Sequence, residues 1–292
     1  MPKNLAAAPN PTRRQDVMLA AALFALTAIV FWPAVRWLAT QAFAREQLKQ
    51  SVLIVVLAGL WIAWEKRRVL RLDLQLSNVT LGWLAASYAL AFGALGLKNP
   101  LLLLAGLVAA AGGSVNYVFG PQAFRRTLPL LSVFAVLILC VLLFPVLDWP
   151  LRQLAGVEAA RLLQSLGLAP HIAVSTADAD VKLLLTAGKE TFLVATECNG
   201  FGLITSSLLL GLIRLLYQRT ALPWFPVLLP LCVVAAFVFN FLRISAIILL
   251  APKFPGHYDA LHETAGIIAL YSGLGAVWWI TGRSTQPARA SA

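Results

Sequence analysis

The chain has 292 residues, of which 60% are hydrophobic and only 12% are charged, and its mean hydropathy is +0.81. Soluble globular domains carry about 25% charged residues, so this composition excludes that class and indicates a polytopic membrane protein. Because backbone polar groups find no water inside a bilayer, the spans must be helices, and the predicted fold class is all-α.

The net charge of +11 does not indicate nucleic-acid binding. The basic residues occupy short loops between apolar runs instead of one polar domain, which is typical of topology signals. Three cysteines stand in separate hydrophobic contexts and do not form a disulfide pattern. The basic N-terminus precedes a span without a small-residue cleavage site, so we expect it to be retained and not removed as a signal peptide. No cofactor is predicted.

Eight apolar segments are candidates for helices that cross about 30 Å of hydrocarbon. In chain order they are 17–35, 51–64, 78–97, 100–118, 128–147, 200–217, 223–250 and 263–281. The predicted organisation is therefore a basic cytoplasmic tail at 1–16, a transmembrane domain at 17–282 and a second cytoplasmic tail at 283–292.

The charges of the loops predict how these spans are oriented. If the N-terminus is cytoplasmic and each span crosses once, the inner segments carry thirteen basic residues and three acids, and the outer segments carry nine of each. An excess of Lys and Arg on the cytoplasmic side is what the positive-inside rule requires. We therefore expect both termini inside and the long polar interval 148–199 on the outer face.

This outer interval is predicted to form a small cap over the spans. Its first part indicates an amphipathic helix on the membrane surface, because apolar residues recur near helical spacing. These residues are Leu151, Leu154, Val157, Leu162 and Leu163. The later segments HIAVS and ETFLVAT are short and β-branched, which predicts a strand pair. An ordinary exposed loop is the alternative.

The predicted seventh span contains two polar residues, Asn240 and Arg243. An arginine at mid-helix costs roughly 2.5–3.5 kcal/mol on insertion scales, so its presence needs a reason. The two residues are three positions apart and share a helix face, which indicates a directed polar site near the outer surface. An arginine that snorkels from a helix end to the interface is the alternative.

His262 stands where the last span begins, with His257 and Asp259 just before it. His262 and Glu263 match the first half of the zinc motif H-E-x-x-H, but the position that needs the second histidine is Gly266. No metal site is therefore predicted from this motif. A looser site built from His257, Asp259 and His262 is the alternative.

The stretch VATECNGFG brings a thiol to the mouth of the sixth span, at Cys198. The predicted topology puts Cys198, Arg243 and His262 at similar depth on the outer side. A thiolate is favoured near a helix N-terminus and a cation, and a histidine can carry the thiol proton to a leaving amine. An arginine can stabilise the thiolate or an oxyanion. Glu197 opposes thiolate formation unless its side chain points away or pairs with Arg243.

These residues resemble the exosortase/archaeosortase family of membrane-embedded sorting enzymes. That family has about eight spans and three signatures in the order found here. They are Cys-x-Gly, Asn-x-x-Arg and His-x-x-x-Gly, which appear as Cys198-Asn199-Gly200, Asn240-Phe241-Leu242-Arg243 and His262-Glu263-Thr264-Ala265-Gly266. Many members have a small residue before the cysteine and Ser-Gly-Leu-Arg after it, whereas this chain has Glu197 and Asn199-Gly200-Phe201-Gly202.

The resemblance implies a cysteine peptidase or transpeptidase in the plasma (cell inner) membrane, with a role in envelope or exopolysaccharide biogenesis. Its substrates would be exported proteins with a C-terminal sorting signal, made of a recognition motif, a transmembrane helix and a basic tail. Transfer would require an acceptor, for example a lipid- or glycan-linked one. Cys198 would be the nucleophile, His262 the proton carrier and Arg243 the charge stabiliser. Asn240, Asn199, Gly200 and Glu197 would be supporting residues.

Two other functions are compatible with the same sequence. A transporter or channel could use Asn240 and Arg243 to line an anion path. A subunit of an envelope polysaccharide system could carry no chemistry of its own. The enzyme differs from both in requiring Cys198.

Overall fold

A computed structural model of the chain describes residues 11–65, 67, 74, 76–175, 182–187, 190–194, 199–254 and 256–283. The helices in this part of the chain are α1 (Pro11–Phe43), α2 (Glu46–Glu65), α3 (Asn78–Leu97), α4 (Pro100–Ser165), α5 (Phe201–Tyr217), α6 (Phe225–Leu250) and α7 (Tyr258–Arg283). The strands are β1 (Pro170–Ser175), β2 (Lys182–Ala187) and β3 (Glu190–Val194). Short 3-10 turns at Leu222–Trp224 and Ala251–Lys253 flank α6.

Six stretches of the described residues are long and apolar enough to cross a membrane, and the chain is a multi-pass membrane protein. They are Ala21–Phe43, Glu46–Glu65, Asn78–Leu97, Pro100–Ser165, Leu222–Lys253 and Tyr258–Gly282. The apolar helix α5 has 17 residues, fewer than the roughly 20 of an ordinary span. The count of eight spans, the division into tails and membrane domain, and the orientation stay predictions.

Two of the predicted spans lie in one long helical stretch. The 66 residues of α4 are interrupted at Gly120, whose φ of 76° and ψ of 173° are not helical. Glycine reaches this conformation without the steric penalty that a side chain would bring. The interruption separates the predicted spans 100–118 and 128–147, and the helix then continues to Ser165 through the region expected to be a separate surface helix.

The described residues group into two compact units. The first takes its residues from Met1–Thr40 and Gly59–Ala135, and the second from Gln41–Ala58 and Val136–Ala292. In the first unit, buried Asn116 donates through its amide to the hydroxyls of Ser77 and Thr80 at 3.1 and 2.9 Å. These bonds satisfy polar groups that water cannot reach in an apolar environment.

The second unit contains the candidate site residues that the structure describes, namely Asn199, Gly200, Asn240, Arg243 and His262. Helices α5, α6 and α7 pack against one another. The first turn of α5 also approaches α2 closely, because a Cβ atom added at Gly202 would lie 2.7 Å from the backbone oxygen of Gln47. One turn further on, the buried hydroxyls of Ser51 and Ser206 are 3.0 Å apart. Small residues thus let α2 and α5 come into close contact, as in other membrane helix pairs.

The predicted strand pair is a three-stranded antiparallel sheet in the order β1-β2-β3. The predicted segments HIAVS and ETFLVAT supply β1 and β3, but each pairs with β2 and not with the other. The sequence of β2, KLLLTA, was missed because it is rich in leucine and poor in β-branched residues. Its alternation is nevertheless that of a strand, since Leu183 and Leu185 are buried and Leu184 between them is less so.

The inner face of this sheet packs on the C-terminal parts of α4 and α6. The buried cluster consists of Ala155, Ala159, Leu163, Leu183, Leu185, Val194, Ile244 and Ile248. The stripe that α4 buries against the sheet is therefore 155-159-163, whereas Leu154 and Val157 of the predicted membrane-facing stripe are exposed. Small side chains on α4 explain the difference, since they let the sheet come close. A Cβ atom at Gly156 would lie 2.9 Å from Leu183.

Candidate active site

The start of α5 is built by Asn199 and Gly200, the two residues that follow Cys198. Gly200 is the N-cap residue and lies in the left-handed region, with φ 75° and ψ 2°. The side-chain oxygen of Asn199 accepts a 2.7 Å hydrogen bond from the backbone N–H of Phe201. This bond satisfies one of the amide donors that every helix leaves free in its first turn. Asn199 is 0% exposed, so its conformation is fixed from all sides.

The amide of Asn199 is held in turn by a charged pair on α4. Its Nδ2 donates to Oδ1 of Asp148 at 2.6 Å. Arg152, one helical turn beyond Asp148, donates to the same carboxylate through Nε at 3.1 Å and through Nη2. Burial lowers the pKa of Arg45, and the nearby Asp148 carboxylate opposes that shift. Asp148 therefore joins the start of α5 to cationic side chains from two other segments.

Aromatic packing supports the same connection. The rings of Phe144 and Phe201 meet edge to face, with centroids 4.9 Å apart. The guanidinium carbon of Arg45 lies 4.1 Å from the centroid of the Phe144 ring. Both distances lie within the range of favourable aromatic and cation–π contacts.

Asn240 faces the start of α5 from the middle of α6. It is 1% exposed, and its side chain occupies the space in front of Gly200. A Cβ atom at Gly200 would lie 2.7 Å from Cγ and from Nδ2 of Asn240, closer than any side chain can approach. Two features therefore favour glycine at this position of the Cys-x-Gly motif. One is the positive φ, and the other is the adjacent side chain of Asn240.

Arg243 lies one turn further along α6 and reaches α7. Its Nη2 is 3.2 Å from Nε2 of His262, within hydrogen-bond distance. A Cβ atom at Gly266 would lie 3.3 Å from the same Nη2 and 3.4 Å from the guanidinium carbon. The guanidinium therefore lies between His262 and Gly266, one turn apart on α7, which is not the geometry of an arginine that snorkels toward solvent.

His262 is also in contact with Tyr258, four residues earlier on α7. The two rings are stacked, with centroids 6.0 Å apart and planes at 29°. Because residues four positions apart share a helix face, Tyr258 covers the side of the imidazole toward the helix start. The imidazole is thus restrained by a ring on one side and by the Arg243 guanidinium on another.

Asn240, Arg243 and His262 line a common cavity of about 280 Å³. Gly200 and Gly266 also line it, as do Gln50, Gly202, Leu203, Glu263, Ile267, Ala269 and Leu270. Described residues from all three motifs, which are far apart in the sequence, therefore line one polar space. Such a cavity, with convergent polar groups among apolar walls, is typical of a ligand or active site.

Two predicted site residues, Glu197 and Cys198, lie outside the described residues. The remaining cysteines, Cys140 and Cys232, are buried. The alternative metal site at His257, Asp259 and His262 has no support, since the described residues contain no group of three or more His, Cys, Asp or Glu arranged to hold a metal ion.

Sequence reasoning missed Asp148 and Tyr258. Asp148 follows an apolar run and stands four residues before Arg152, a spacing typical of a helical ion pair. That signal does not reveal the contact with Asn199, which is 51 residues away in the chain. Tyr258 precedes His262 by one helical turn, and the position of the helix start decides whether the two can stack.

The comparisons with known proteins agree with the resemblance noted from the motifs. The family model described as transmembrane exosortase matches residues 37–279, which include all three motifs. No curated protein and no solved structure gives a significant match to the chain. The matched family is one of membrane-embedded cysteine peptidases and transpeptidases. Since the match covers most of its length, the chain belongs to the transmembrane exosortase family.

Proposed function

We propose that this protein is a cysteine peptidase or transpeptidase that cleaves C-terminal sorting signals of exported proteins. The observation that carries the proposal is the 3.2 Å contact between Arg243 and His262, in a cavity that Gly200 also lines. Cys198 precedes Gly200 by two positions in the sequence. We place the site on the outer face of the plasma membrane, because the loop charges favour that orientation.

The reaction begins at the thiol of Cys198. His262 takes the thiol proton while the sulfur forms a bond to the scissile carbonyl carbon. The negative charge that develops on the carbonyl oxygen is stabilised by the guanidinium of Arg243, a cation held next to His262 in the cavity. When the C–N bond breaks, the leaving amine receives the proton from His262, and a thioester remains on Cys198.

The thioester is then resolved by a second nucleophile. Water gives hydrolysis, and an amine or hydroxyl of a lipid- or glycan-linked acceptor gives transfer of the protein to that acceptor. In both cases the C–S bond breaks, His262 accepts the proton of the attacking group, and the proton returns to the thiolate of Cys198. A role in envelope or exopolysaccharide biogenesis would follow from an acceptor of this kind.

Comparison of membrane proteins from cells with the wild-type chain and with Cys198→Ala tests the proposal. We expect a set of proteins to keep an apolar helix and basic tail in the Cys198→Ala cells and to lose them in the wild-type cells, as measured by mass spectrometry of C-terminal peptides. Arg243→Lys and His262→Gln should reduce this processing by about a hundredfold or more. If the tails are lost in all three variants to the same extent as in wild-type cells, the proposal is contradicted and a transporter is favoured.

A further inference from the structure

A second groove adjoins the cavity and shares His262 with it. We name it the β3 groove, and it is lined by Phe192, Leu193, Val194, Ile244, Ile247, Ile248, Tyr258 and His262. One wall is thus the strand β3, the floor is α6, and the other wall is the first part of α7. Because His262 lines both spaces, the groove and the cavity that holds Arg243 adjoin the same imidazole.

Pro170 indicates which residues of the sheet direct their backbone N–H and C=O groups toward a neighbouring strand and which direct them away. Proline has no N–H group, so Pro170 cannot donate to Ala187, the residue opposite it on β2. Proline within a sheet takes positions whose N–H side faces away from the neighbouring strand. Since successive residues alternate, Ile172 and Val174 also direct their backbone groups away from β2, at the far edge of the sheet.

The same alternation in β2 identifies which backbone N–H and C=O groups of β3 face away from β2. Because β1 does not bond with Ala187, the backbones of Ala187 and Leu185 face β3, where Phe192 lies opposite Leu185. Thr191 and Leu193 then direct their N–H and C=O groups away from β2, toward the edge of the sheet. Among the described strands, β3 pairs with β2 alone, so these groups form an open edge.

We propose that the β3 groove binds the substrate as an extended peptide that adds a fourth strand to the edge of β3. The inference rests on the proposed function, and it identifies the occupant as the segment that precedes the transmembrane helix of the sorting signal. The backbone groups of Thr191 and Leu193 bind the peptide backbone, in the mode by which extended ligands extend an existing sheet. Alternate peptide side chains point toward the floor of the groove.

The chemistry of the groove matches such a ligand. The groove is shallow, with a volume of about 20 Å³, and its floor residues Ile244, Ile247 and Ile248 are apolar and only 4% exposed, so it favours small apolar side chains over charged ones. Val194 and His262 both line the groove. A peptide that follows β3 toward Val194 therefore has its next residues near His262.

Proline substitutions at the two sheet edges test the proposal. Leu193→Pro removes an outward N–H from β3, and the matched variant Val174→Pro removes one from the opposite edge. The residues are similarly exposed, at 45% and 52%. The assay uses the purified protein and a substrate whose tail is kept in Cys198→Ala cells. We expect Leu193→Pro to lower kcat/KM about tenfold, mainly through a higher KM. Val174→Pro should stay within about twofold of wild type. Equal rates for Leu193→Pro and Val174→Pro would overturn the proposal.

Photo-crosslinking gives an answer even if Leu193→Pro does not fold. Benzoylphenylalanine is placed at Leu193 or at Val174 in the Cys198→Ala chain, which binds substrate without consuming it. An adduct between the Leu193 position and the segment before the substrate's transmembrane helix is expected, with none from Val174. Equal crosslinking from both edges, by a substrate that the wild type cleaves, would exclude the β3 groove as the binding site. It would not contradict the proposed function.

Discussion

The amide of Asn199 donates a 2.6 Å hydrogen bond to Asp148, across 51 residues of chain. Through this bond, one carboxylate on α4 holds the residue that follows the proposed nucleophile in the sequence and accepts a hydrogen bond from the backbone N–H of Phe201 at the start of α5. The carboxylate is in turn fixed by Arg152. We therefore propose Asp148 as a positioning residue, which would act on the proposed reaction through Asn199.

We expect Asp148→Asn to lower both stability and turnover. The change leaves Arg152 without its carboxylate, at a site where the two side chains are 18% and 16% exposed. The loss should be on the order of 2–3 kcal/mol, between the values for a surface pair and a fully buried pair. Turnover should fall about tenfold or more, because the start of α5 shifts relative to Arg243 and His262. Thermal unfolding in detergent and a processing assay measure the two effects.

The matched control is Glu158→Gln, which breaks an ion pair with Arg161 on the same helix. These side chains are more exposed, and an exposed pair contributes about 0–1 kcal/mol. Glu158→Gln should therefore leave turnover unchanged. If Asp148→Asn keeps normal turnover while its melting temperature falls, Asp148 supports the fold but does not position the site.

We expect Gly200→Ala to abolish most activity. An alanine at φ 75° costs roughly 1–2 kcal/mol in backbone strain, and its Cβ atom would also displace Asn240. Gly167→Ala separates these two effects, because Gly167 has φ +83° but no atom lies within 4 Å of the added Cβ. The excess destabilisation of Gly200→Ala should be about 1–3 kcal/mol, the usual size of an overpacking effect. Equal losses in the two variants would mean that the contact with Asn240 has no energetic consequence.

Gly266→Ala should change activity and stability in opposite directions. Alanine favours a helix over glycine by up to about 1 kcal/mol, which should raise the melting temperature slightly. The added Cβ would contact Nη2 of Arg243 at 3.3 Å and push the guanidinium away from His262, so processing should fall about threefold to tenfold. Gly275→Ala on the same helix meets no atom within 4 Å and should gain stability without losing activity. Normal processing by Gly266→Ala would show that the guanidinium has room to move.

The sequence predicted a helical membrane protein and the polar residues of α6, because both depend on local signals. Apolar length identifies a span, and Asn240 and Arg243 stand out since polar residues in a span need partners. The side-chain contacts could not be read in this way. Nothing local to Gly266 reveals that it accommodates Arg243, and Asp148 has an evident partner in Arg152 that conceals its bond to Asn199. Strand β2 was missed because leucines suit either a helix or a strand, and pairing with β1 and β3 decided the outcome.

The most direct test of the account is the reactivity of Cys198 toward a membrane-impermeant maleimide in intact cells, on a Cys140→Ala/Cys232→Ala background. The labelling rate is followed against pH, and then repeated with Arg243→Ala and with His262→Ala. We expect labelling from outside, with an apparent thiol pKa well below about 8.5 that rises in both variants. An ordinary pKa that neither substitution changes would contradict a shared site of Cys198, Arg243 and His262.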